Sequence, residues 1–466
     1  MKTLKVDFGD INSTMRFDSK YHLSDGTVYF KKLREHPHTE LAFLCSDIFT
    51  AGRSKRVYTG KKYGYPYLSN SDIVKQNPFE SCKYNSKKYG YDELSFLKRG
   101  MIVTGRVGAI GQTTYMTSEF EEFKAMGSDN IIRIVPKDIN QSSYIYTFLS
   151  SKYGNTLLCR LAAGGVQPYI SEEMLGDIPI PIIQESIQKK IQILIVEAAN
   201  LREDSNKLLN ESEILFNELN ELKYSEDLLA VSENALQTGY KVNVKDNLHL
   251  TIKAGNHSLR ARKIIQIWNS KRGKLFKEWV DDEGLTRGMG GFFKRITDKR
   301  IKGMDIISQA DLHDLRPTFK KVIKQDVKES EIATRGMIIM PAAGNASGEG
   351  EIFLRPQLVY RNFEGKILSE VIGKLRCRNL IDASYLYIAL KSKAGFRILR
   401  AMKYGTSLRY PNWKLLKDIN IPCIDDKCKI LVSKKVVDSF NKRADALIME
   451  NQAIDLLEKE IESWQK

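Results

Sequence analysis

Residues 154–181 can be laid without a gap on residues 395–422 at one constant offset of 241. Identical residues then coincide at Gly154/Gly395, Leu158/Leu399, Gly164/Gly405, Tyr169/Tyr410, Leu175/Leu416, Asp177/Asp418, Ile178/Ile419, Ile180/Ile421 and Pro181/Pro422. Upstream, Tyr144 and Tyr146 fall on Tyr385 and Tyr387 at the same offset. A period of half the chain predicts duplicated domains and excludes a solenoid of short repeats. Each copy ends in an apolar, proline-terminated segment, Asp177-Ile178-Pro179-Ile180-Pro181 and Asp418-Ile419-Asn420-Ile421-Pro422, followed at once by a long helical pattern. The predicted order is domain, helix, domain, helix, with boundaries at 1–183, 184–238, 239–424 and 425–466.

The helical stretches carry a second constraint. Ile187, Ile191, Leu194, Ala198, Leu201, Ser205, Leu208, Ser212, Leu215, Leu219 and Leu222 alternate spacings of four and three, the seam of a coiled coil. Phe440, Ala444, Leu447, Asn451, Ile454, Ile461 and Trp464 form a comparable seam in the last helix. Ser205, Ser212 and Asn451 are polar interruptions of the kind that fix register. Two such helices most simply pack against each other as an antiparallel pair, with the domains at opposite ends. At about 1.5 Å per residue, helices of roughly 35 residues would hold the domains on the order of 50 Å apart. The expected fold class is α+β, with two tandem mixed α/β domains and an antiparallel coiled-coil spacer. In the first domain, alternation in Gly64-Tyr65-Pro66-Tyr67-Leu68-Ser69 and the run Met101-Ile102-Val103 predict strands, and Ser142 to Leu158 carries a helical pattern. Gly239 to Arg262 reads as a polar connector.

A formal charge of +16 and a pI near 9.3 point to a polyanionic partner. The basic clusters Arg53-Ser54-Lys55-Arg56, Lys61-Lys62, Lys294-Arg295, Lys299-Arg300 and Lys320-Lys321 lie in the globular halves, whereas the helices carry mixed charge. The start has no apolar leader and no stretch reaches membrane-spanning length, so a cytoplasmic protein without a membrane partner is expected. The 6 cysteines are scattered, and only Cys423 and Cys428 lie close, without a second pair to complete a zinc site. Reduced, structural thiols are expected.

Catalytic constellations are missing. Gly100 to Gly105 has the glycine spacing of a phosphate loop but continues with Arg106 and Val107 in place of Lys and Ser/Thr. The glycines of 105–111 have no acidic partner downstream for a dinucleotide. Asn77-Pro78-Phe79 is one proline short of the Asn-Pro-Pro-Phe loop of adenine methyltransferases and reads as a turn. His36-Pro37-His38 has no third ligand at suitable spacing for a metal. The chain is expected to bind without catalysing, with no catalytic residue and no metal.

These residues resemble the specificity subunits of Type I restriction-modification systems. Arg99-Gly100-Met101-Ile102-Val103-Thr104-Gly105-Arg106-Val107-Gly108-Ala109-Ile110-Gly111 is similar to the family's strand and glycine loop. Arg16-Phe17-Asp18-Ser19-Lys20-Tyr21-His22 is similar to its amino-terminal segment. Gln167, Tyr169 and Ile170, ahead of Ile178-Pro179-Ile180-Pro181 and Gln184, resemble its exit into the helix. The second copy keeps Arg335-Gly336-Met337-Ile338, but Met340-Pro341-Ala342-Ala343-Gly344-Asn345 replaces the glycine-arginine loop, and around Lys253-Ala254-Gly255-Asn256-His257 the amino-terminal segment is hardly recognisable. The resemblance implies two target recognition domains, each reading half of a split site in double-stranded DNA. It also implies a helical spacer that docks two methyltransferase subunits, with restriction/translocase subunits joining the complex. S-adenosylmethionine, ATP and Mg would then belong to those partners, with no cofactor in this chain.

For a DNA reader, the candidates are residues whose basic or amide side chains sit in glycine- and serine-rich loops: Arg53, Lys55, Arg56, Lys61, Lys62, Asn70 and Arg106 in the first domain. Arginine matches guanine and Asn or Gln matches adenine in bidentate geometry, and Lys sets orientation through phosphates. In the second domain the run Arg287-Gly288-Met289-Gly290-Gly291-Phe292-Phe293-Lys294-Arg295 carries Arg287, Lys294 and Arg295. An offset of 239 places Lys294-Arg295 on Lys55-Arg56 and Gln309 on Asn70. The alternative is a non-catalytic nucleic-acid-binding scaffold, for which clustered tyrosines such as Tyr63, Tyr65 and Tyr67 on a sheet face would favour single strands.

Overall fold

In the computed structural model, the tyrosines that the repeat superimposes do the same work in both copies. The Tyr144 hydroxyl donates to the carbonyl of Pro181 at 2.6 Å, and the Tyr385 hydroxyl to the carbonyl of Pro422 at 2.8 Å. The structure describes residues 5–9, 11, 16–53, 55–108, 110–163, 167–229, 243, 251–281, 295–296, 302–322, 327–344, 352–406 and 408–464. These fall into two units, one made of Met1–Glu203 with Asp445–Lys466, the other of Asp204–Ala444. Of the expected connector, 239–242 and 244–250 lie outside the described residues, while its second half is not a plain connector but holds a helical turn, Ala254–His257, and the start of the helix Leu259–Asn269.

In the first unit, strands Cys45–Thr50, Ile131–Pro136, Ile102–Gly105 and Thr113–Tyr115 lie side by side in that order, each antiparallel to its neighbour. A second sheet sets Gly64–Leu68 antiparallel to Lys83–Ser86 and parallel to Met126–Gly127. The parallel pairing starts only at Tyr67, past Pro66, whose nitrogen has no hydrogen to give a ladder. His38–Glu40 pairs with Pro179–Pro181, the segment that ends the copy.

The helical pattern expected from Ser142 to Leu158 is two helices, Ile139–Ser150 and Lys152–Leu161. They break at Ser151, whose hydroxyl donates to Phe148 O at 2.7 Å and accepts from Gly154 N at 3.3 Å. The second copy repeats the device: Ser392 donates to Ala389 O at 2.7 Å and accepts from Gly395 N at 3.0 Å. This corner explains the repeated glycine. A Cβ on Gly154 would stand 2.1 Å from Phe148 O, and one on Gly395 would stand 2.0 Å from Ala389 O. Gly154→Ala and Gly395→Ala are each expected to lower stability by about 1–3 kcal/mol or more, as overpacking does; urea unfolding of the full chain reads this directly. The repeated Arg-Gly-Met-Ile likewise needs its glycine, with φ of +82° at Gly100 and +81° at Gly336.

In the second unit, Gly273–Leu275 pairs with Asn420–Pro422 as its counterpart does in the first. Arg295–Ile296, Lys320–Val322, Met304–Ile307 and Ile367–Leu368 form one sheet in that order. Ile338–Pro341 lies between Gln357–Leu358 and Ile372–Leu375 in another. The amino-terminal segment that is hardly recognisable in the second copy is recovered by its contacts. His22 Nε2 lies 2.6 Å from Arg16 O, and His257 Nε2 lies 2.6 Å from Thr251 O. Arg16 donates to Leu161 O and Ala162 O, both at 3.0 Å, where Asn256 Nδ2 donates to Ala401 O at 2.6 Å and Lys403 O at 3.0 Å. An amide has replaced a guanidinium in the same task, tying the segment to the end of the second helix of the corner.

Two long helices, Glu185–Leu219 and Asp426–Ser463, contribute to both units. In the first unit, Ile191 and Ile195 from one and Ala453, Leu457 and Ile461 from the other complete the core around Phe148 and Leu157. In the second, Leu209 and Phe216 meet Val432, Val436 and Phe440 in the core around Tyr385. There Ser205 bonds Ser439 at 2.8 Å, Lys442 reaches Asp204 at 2.7 Å and Lys435 reaches Glu211 at 2.6 Å, so the two segments run antiparallel. The buried stripe matches the expected seam in part. Ile191, Ala198, Ser205, Ser212 and Leu222 are buried as expected, and Leu194, Leu215 and Leu219 pack half-buried against the cores, but Ile195, Leu209 and Phe216 are the more deeply buried residues beside Leu194, Leu208 and Leu215. Asn451 is exposed, and its neighbour Glu450 is the buried polar residue instead. Each helix faces a globular core as well as its partner, which widens the buried stripe beyond a coiled-coil seam.

Candidate nucleic-acid interface

The first unit's candidates lie largely on one loop and the hairpin beside it. Residues 51–63 lead from Cys45–Thr50 to Gly64–Leu68 and run along Lys83–Ser86, through Thr59 N to Tyr84 O at 2.9 Å and Ser86 N to Val57 O at 2.8 Å. Lys87 N continues the contact to Tyr63 O at 3.0 Å. Asn85 fastens the arrangement. It is fully buried, its Oδ1 accepts from Val57 N at 2.8 Å and its Nδ2 donates to Gly90 O at 2.6 Å. The basic loop and the turn after the hairpin are thereby one body.

On this body Arg53, Lys55, Lys61 and Lys62 are exposed. Arg56 is also exposed but paired, with Nη2 2.7 Å from Asp129 Oδ1, while Arg53 stands 3.7 Å from the same carboxylate. The neighbouring Tyr67 phenol and the Asp129 carboxylate hold the Arg56 pKa above its ordinary value, and burial raises that of Tyr67. Arg56 is therefore held in place by its carboxylate partner, whereas Lys61 and Lys62 stand exposed. If Lys61 and Lys62 each neutralise one DNA phosphate, the Lys61→Ala, Lys62→Ala double variant shallows the slope of log affinity against log salt by about 1.8, from about 0.9 per phosphate. A binding titration over several salt concentrations checks this.

Arg106 and Asn70 sit at a second place. Arg106 N donates to Asn130 O at 2.8 Å and Ile170 N donates to Arg106 O at 3.0 Å, so the segment before the helix joins the glycine loop. The Arg106 side chain is half-buried near Glu172. Burial works to raise the Glu172 pKa, but the Thr50 hydroxyl at 2.5 Å and the Arg106 charge bring it below its ordinary value. The Asn70 Nδ2 is committed to Val107 O at 2.6 Å, and its Oδ1 accepts no hydrogen bond.

The pairing of Gln309 with Asn70 has a structural basis. Ser69 N and Oγ both bond Asp72 Oδ2, at 3.0 and 2.6 Å, and Ser308 N and Oγ both bond Asp311 Oδ2, at 2.7 and 2.6 Å. Each amide thus follows a serine fixed in the same way after an equivalent strand. Arg287 and Lys294 lie outside the described residues. Arg295 opens the strand opposite Val322, but its side chain also lies outside them. Lys320 and Lys321 are exposed on the strand beside it.

Sequence reasoning missed Lys83, Lys87 and Lys88, exposed on the hairpin that carries the loop. Their signal was a tract from Lys83 to Tyr91 in which lysines alternate with tyrosines. All 6 cysteines are free thiols, and burial pushes Cys82 up to about 11 and Cys45 and Cys377 up to about 12, away from reactivity. Asn77 Oδ1 accepts from Phe79 N at 3.1 Å, a local turn. Among the described residues no group of three or more His, Cys, Asp and Glu is placed to hold a metal, and no helix is long and apolar enough to cross a membrane.

Residues 43–211 match the model of a protein family described as the Type I restriction modification DNA specificity domain. No curated protein matches the chain. Among solved structures, the S subunit of a Type I restriction-modification system from M. genitalium is similar at 12% identity, over 90% of this chain and 95% of that one, with a TM-score of 0.37. The HsdS subunit from Thermoanaerobacter tengcongensis is similar at 12% identity over 91% and 96%, with a TM-score of 0.25. The type IIG restriction endonuclease BpuSI is similar over 40% of this chain and 29% of its own, at 11% identity and a TM-score of 0.30.

Proposed function

We propose, from the match of residues 43–211 to the Type I restriction modification DNA specificity domain, that the chain carries two such recognition domains and reads a bipartite site in double-stranded DNA. The supporting observation is the repetition of contacts beyond the matched segment. The Tyr144–Pro181 bond recurs as Tyr385–Pro422, the Ser151 corner recurs at Ser392, and the Ser69–Asp72 bracket recurs as Ser308–Asp311. Internal bonds that return half a chain later support a second copy of the matched domain, and different loops on one scaffold suit different sequences.

On this reading Lys61, Lys62 and Lys55 meet phosphates, and Arg53, Arg56 and Arg106 are the first domain's candidates for guanine. Gln309, with Arg287, Lys294 and Arg295, serves the second domain. Arg56 pays for its fixed position with a carboxylate neighbour, so it reads a base only if Asp129 releases it. The long helices form a coiled-coil spacer that sets the gap between half-sites and docks two methyltransferase subunits, which restriction/translocase subunits then join. Those partners supply S-adenosylmethionine, ATP and Mg chemistry, and the chain itself is non-catalytic and cytoplasmic.

The test is co-expression with an adenine methyltransferase encoded beside it, followed by long-read mapping of methylated adenines across the host genome. A split motif with a constant gap, present only with this chain, is the expected result. An assembled and active complex that adds no methylation would turn the reading toward a nucleic-acid-binding scaffold.

A further inference from the structure

We propose that the sheet face of the first unit carrying Tyr58, Tyr65, Tyr67 and Tyr91 holds unpaired bases of a DNA strand. This rests on the chain being a DNA-binding protein, but it asks something of this face that reading an intact duplex does not require.

Tyr65 stands opposite Asn85 in the hairpin, and Tyr58 forms an antiparallel bridge to Asn85 from the other side. Tyr58 and Tyr65 therefore project from the same face of Lys83–Ser86. Tyr67, opposite Lys83 and two residues along, belongs to that face as well. The rings form two pairs, Tyr58–Tyr67 at 6.0 Å and Tyr65–Tyr91 at 5.8 Å between centroids, and Phe96 backs Tyr65 at 5.1 Å. Each pair has a packed member and an open one: Tyr67 is 7% exposed and Tyr58 45%, while Tyr65 is half-buried and Tyr91 is 42% exposed.

Cations surround the rings. Lys83 Nζ lies 4.6 Å from the Tyr58 centroid, Lys87 Nζ 5.6 Å from Tyr65, and Arg56 Cζ 5.8 Å from Tyr67. The platform is also held in advance. Asn85 ties Val57 to Gly90, and the chain passes so closely that a Cβ on Gly90 would stand 2.0 Å from Lys55 O.

Base faces inside a duplex are covered by neighbouring base pairs, so open phenol rings gain no stacking from it. An unpaired base offers its face, and stacking on an aromatic side chain is favourable for any base. A base entering over Tyr58 moves the flexible Lys83 ammonium from the ring to the adjacent phosphate, which exchanges a cation–π contact for an ion pair. A protein that delivers DNA to an adenine-modifying partner meets unpaired bases, because such enzymes take the target base out of the stack.

The experiment is fluorescence anisotropy with the full chain and a labelled oligo(dT) of about 20 nucleotides, long enough for several stacking contacts. Mixed-sequence duplex and oligo(rU) of the same length are run in parallel. The Tyr58→Ala, Tyr91→Ala double variant is expected to lose about tenfold or more of its oligo(dT) affinity, while Tyr58→Phe, Tyr91→Phe keeps it. Duplex affinity is expected to change much less, since the lysines remain. The proposal is overturned if the wild type does not bind oligo(dT), if the alanine variant binds it as the wild type does, if duplex binding falls equally, or if oligo(rU) binds tighter. Failure of the bipartite-site reading would show separately, as the absence of a split methylation motif.

Discussion

A chain ending at Ala444 is expected to lose the fold of its first unit while keeping that of the second. Ala453, Leu457 and Ile461 have no exposed surface and sit in the same core as Phe148, Leu157, Ile191 and Ile195. Truncating one such large side chain typically costs about 2–5 kcal/mol. Removing residues 445–466 strips them all, together with the Lys152 and Tyr146 contacts to Glu458, Glu462 and Glu450. That sum rivals the about 5–15 kcal/mol by which a whole domain is stable. Limited trypsin digestion read by mass spectrometry should show rapid cleavage within residues 16–163 of the truncated chain and protection within 251–281 and 352–406. Equal protection of the first unit in both chains would mean that the last helix only leans on it.

The second large effect is expected at Glu450. Its carboxylate is 1% exposed, accepts the Tyr146 hydroxyl, and takes both Nη groups of Arg202, Nη1 at 2.8 Å. Burial alone would lower the pKa of Arg202, but the Glu450 charge overrides it and the net shift is upward. Glu450→Ala leaves a guanidinium in the seam without its partner and is expected to cost about 3–5 kcal/mol. Replacing both residues by apolar ones, Arg202→Met with Glu450→Leu, is expected to cost far less, because it removes the desolvated charges together. Urea unfolding of the two variants distinguishes this from simple loss of packing, which would make the double variant the worse one.

The repeat was readable because its identities mark points where the backbone has no freedom. Gly154 and Gly395 leave no room for a Cβ, and the two tyrosines and prolines are the ends of one hydrogen bond. The amino-terminal segment was hidden in the second copy because Asn256 does with an amide what Arg16 does with a guanidinium, a likeness of function without likeness of residue. The helical seam was legible at Ile191, Ala198, Ser205, Ser212 and Leu222, but not the deeper burial of Ile195, Leu209 and Phe216, because a heptad pattern assumes one partner and these helices also pack on a globular core. The basic loop was visible in composition. The Arg56–Asp129 pair was not, since 73 residues separate its members. Nor was the role of Asn85, which depends on two loops crossing.

The most direct test of the account is to map methylated adenines for the wild-type complex and for two variants, Arg53→Ala with Arg106→Ala in the first unit, and Gln309→Ala in the second. The account predicts that each variant relaxes base preference in one half of the split motif only, a different half for each, with the gap unchanged. Both variants relaxing the same half, or neither altering any position, would contradict the assignment of one half-site to each unit.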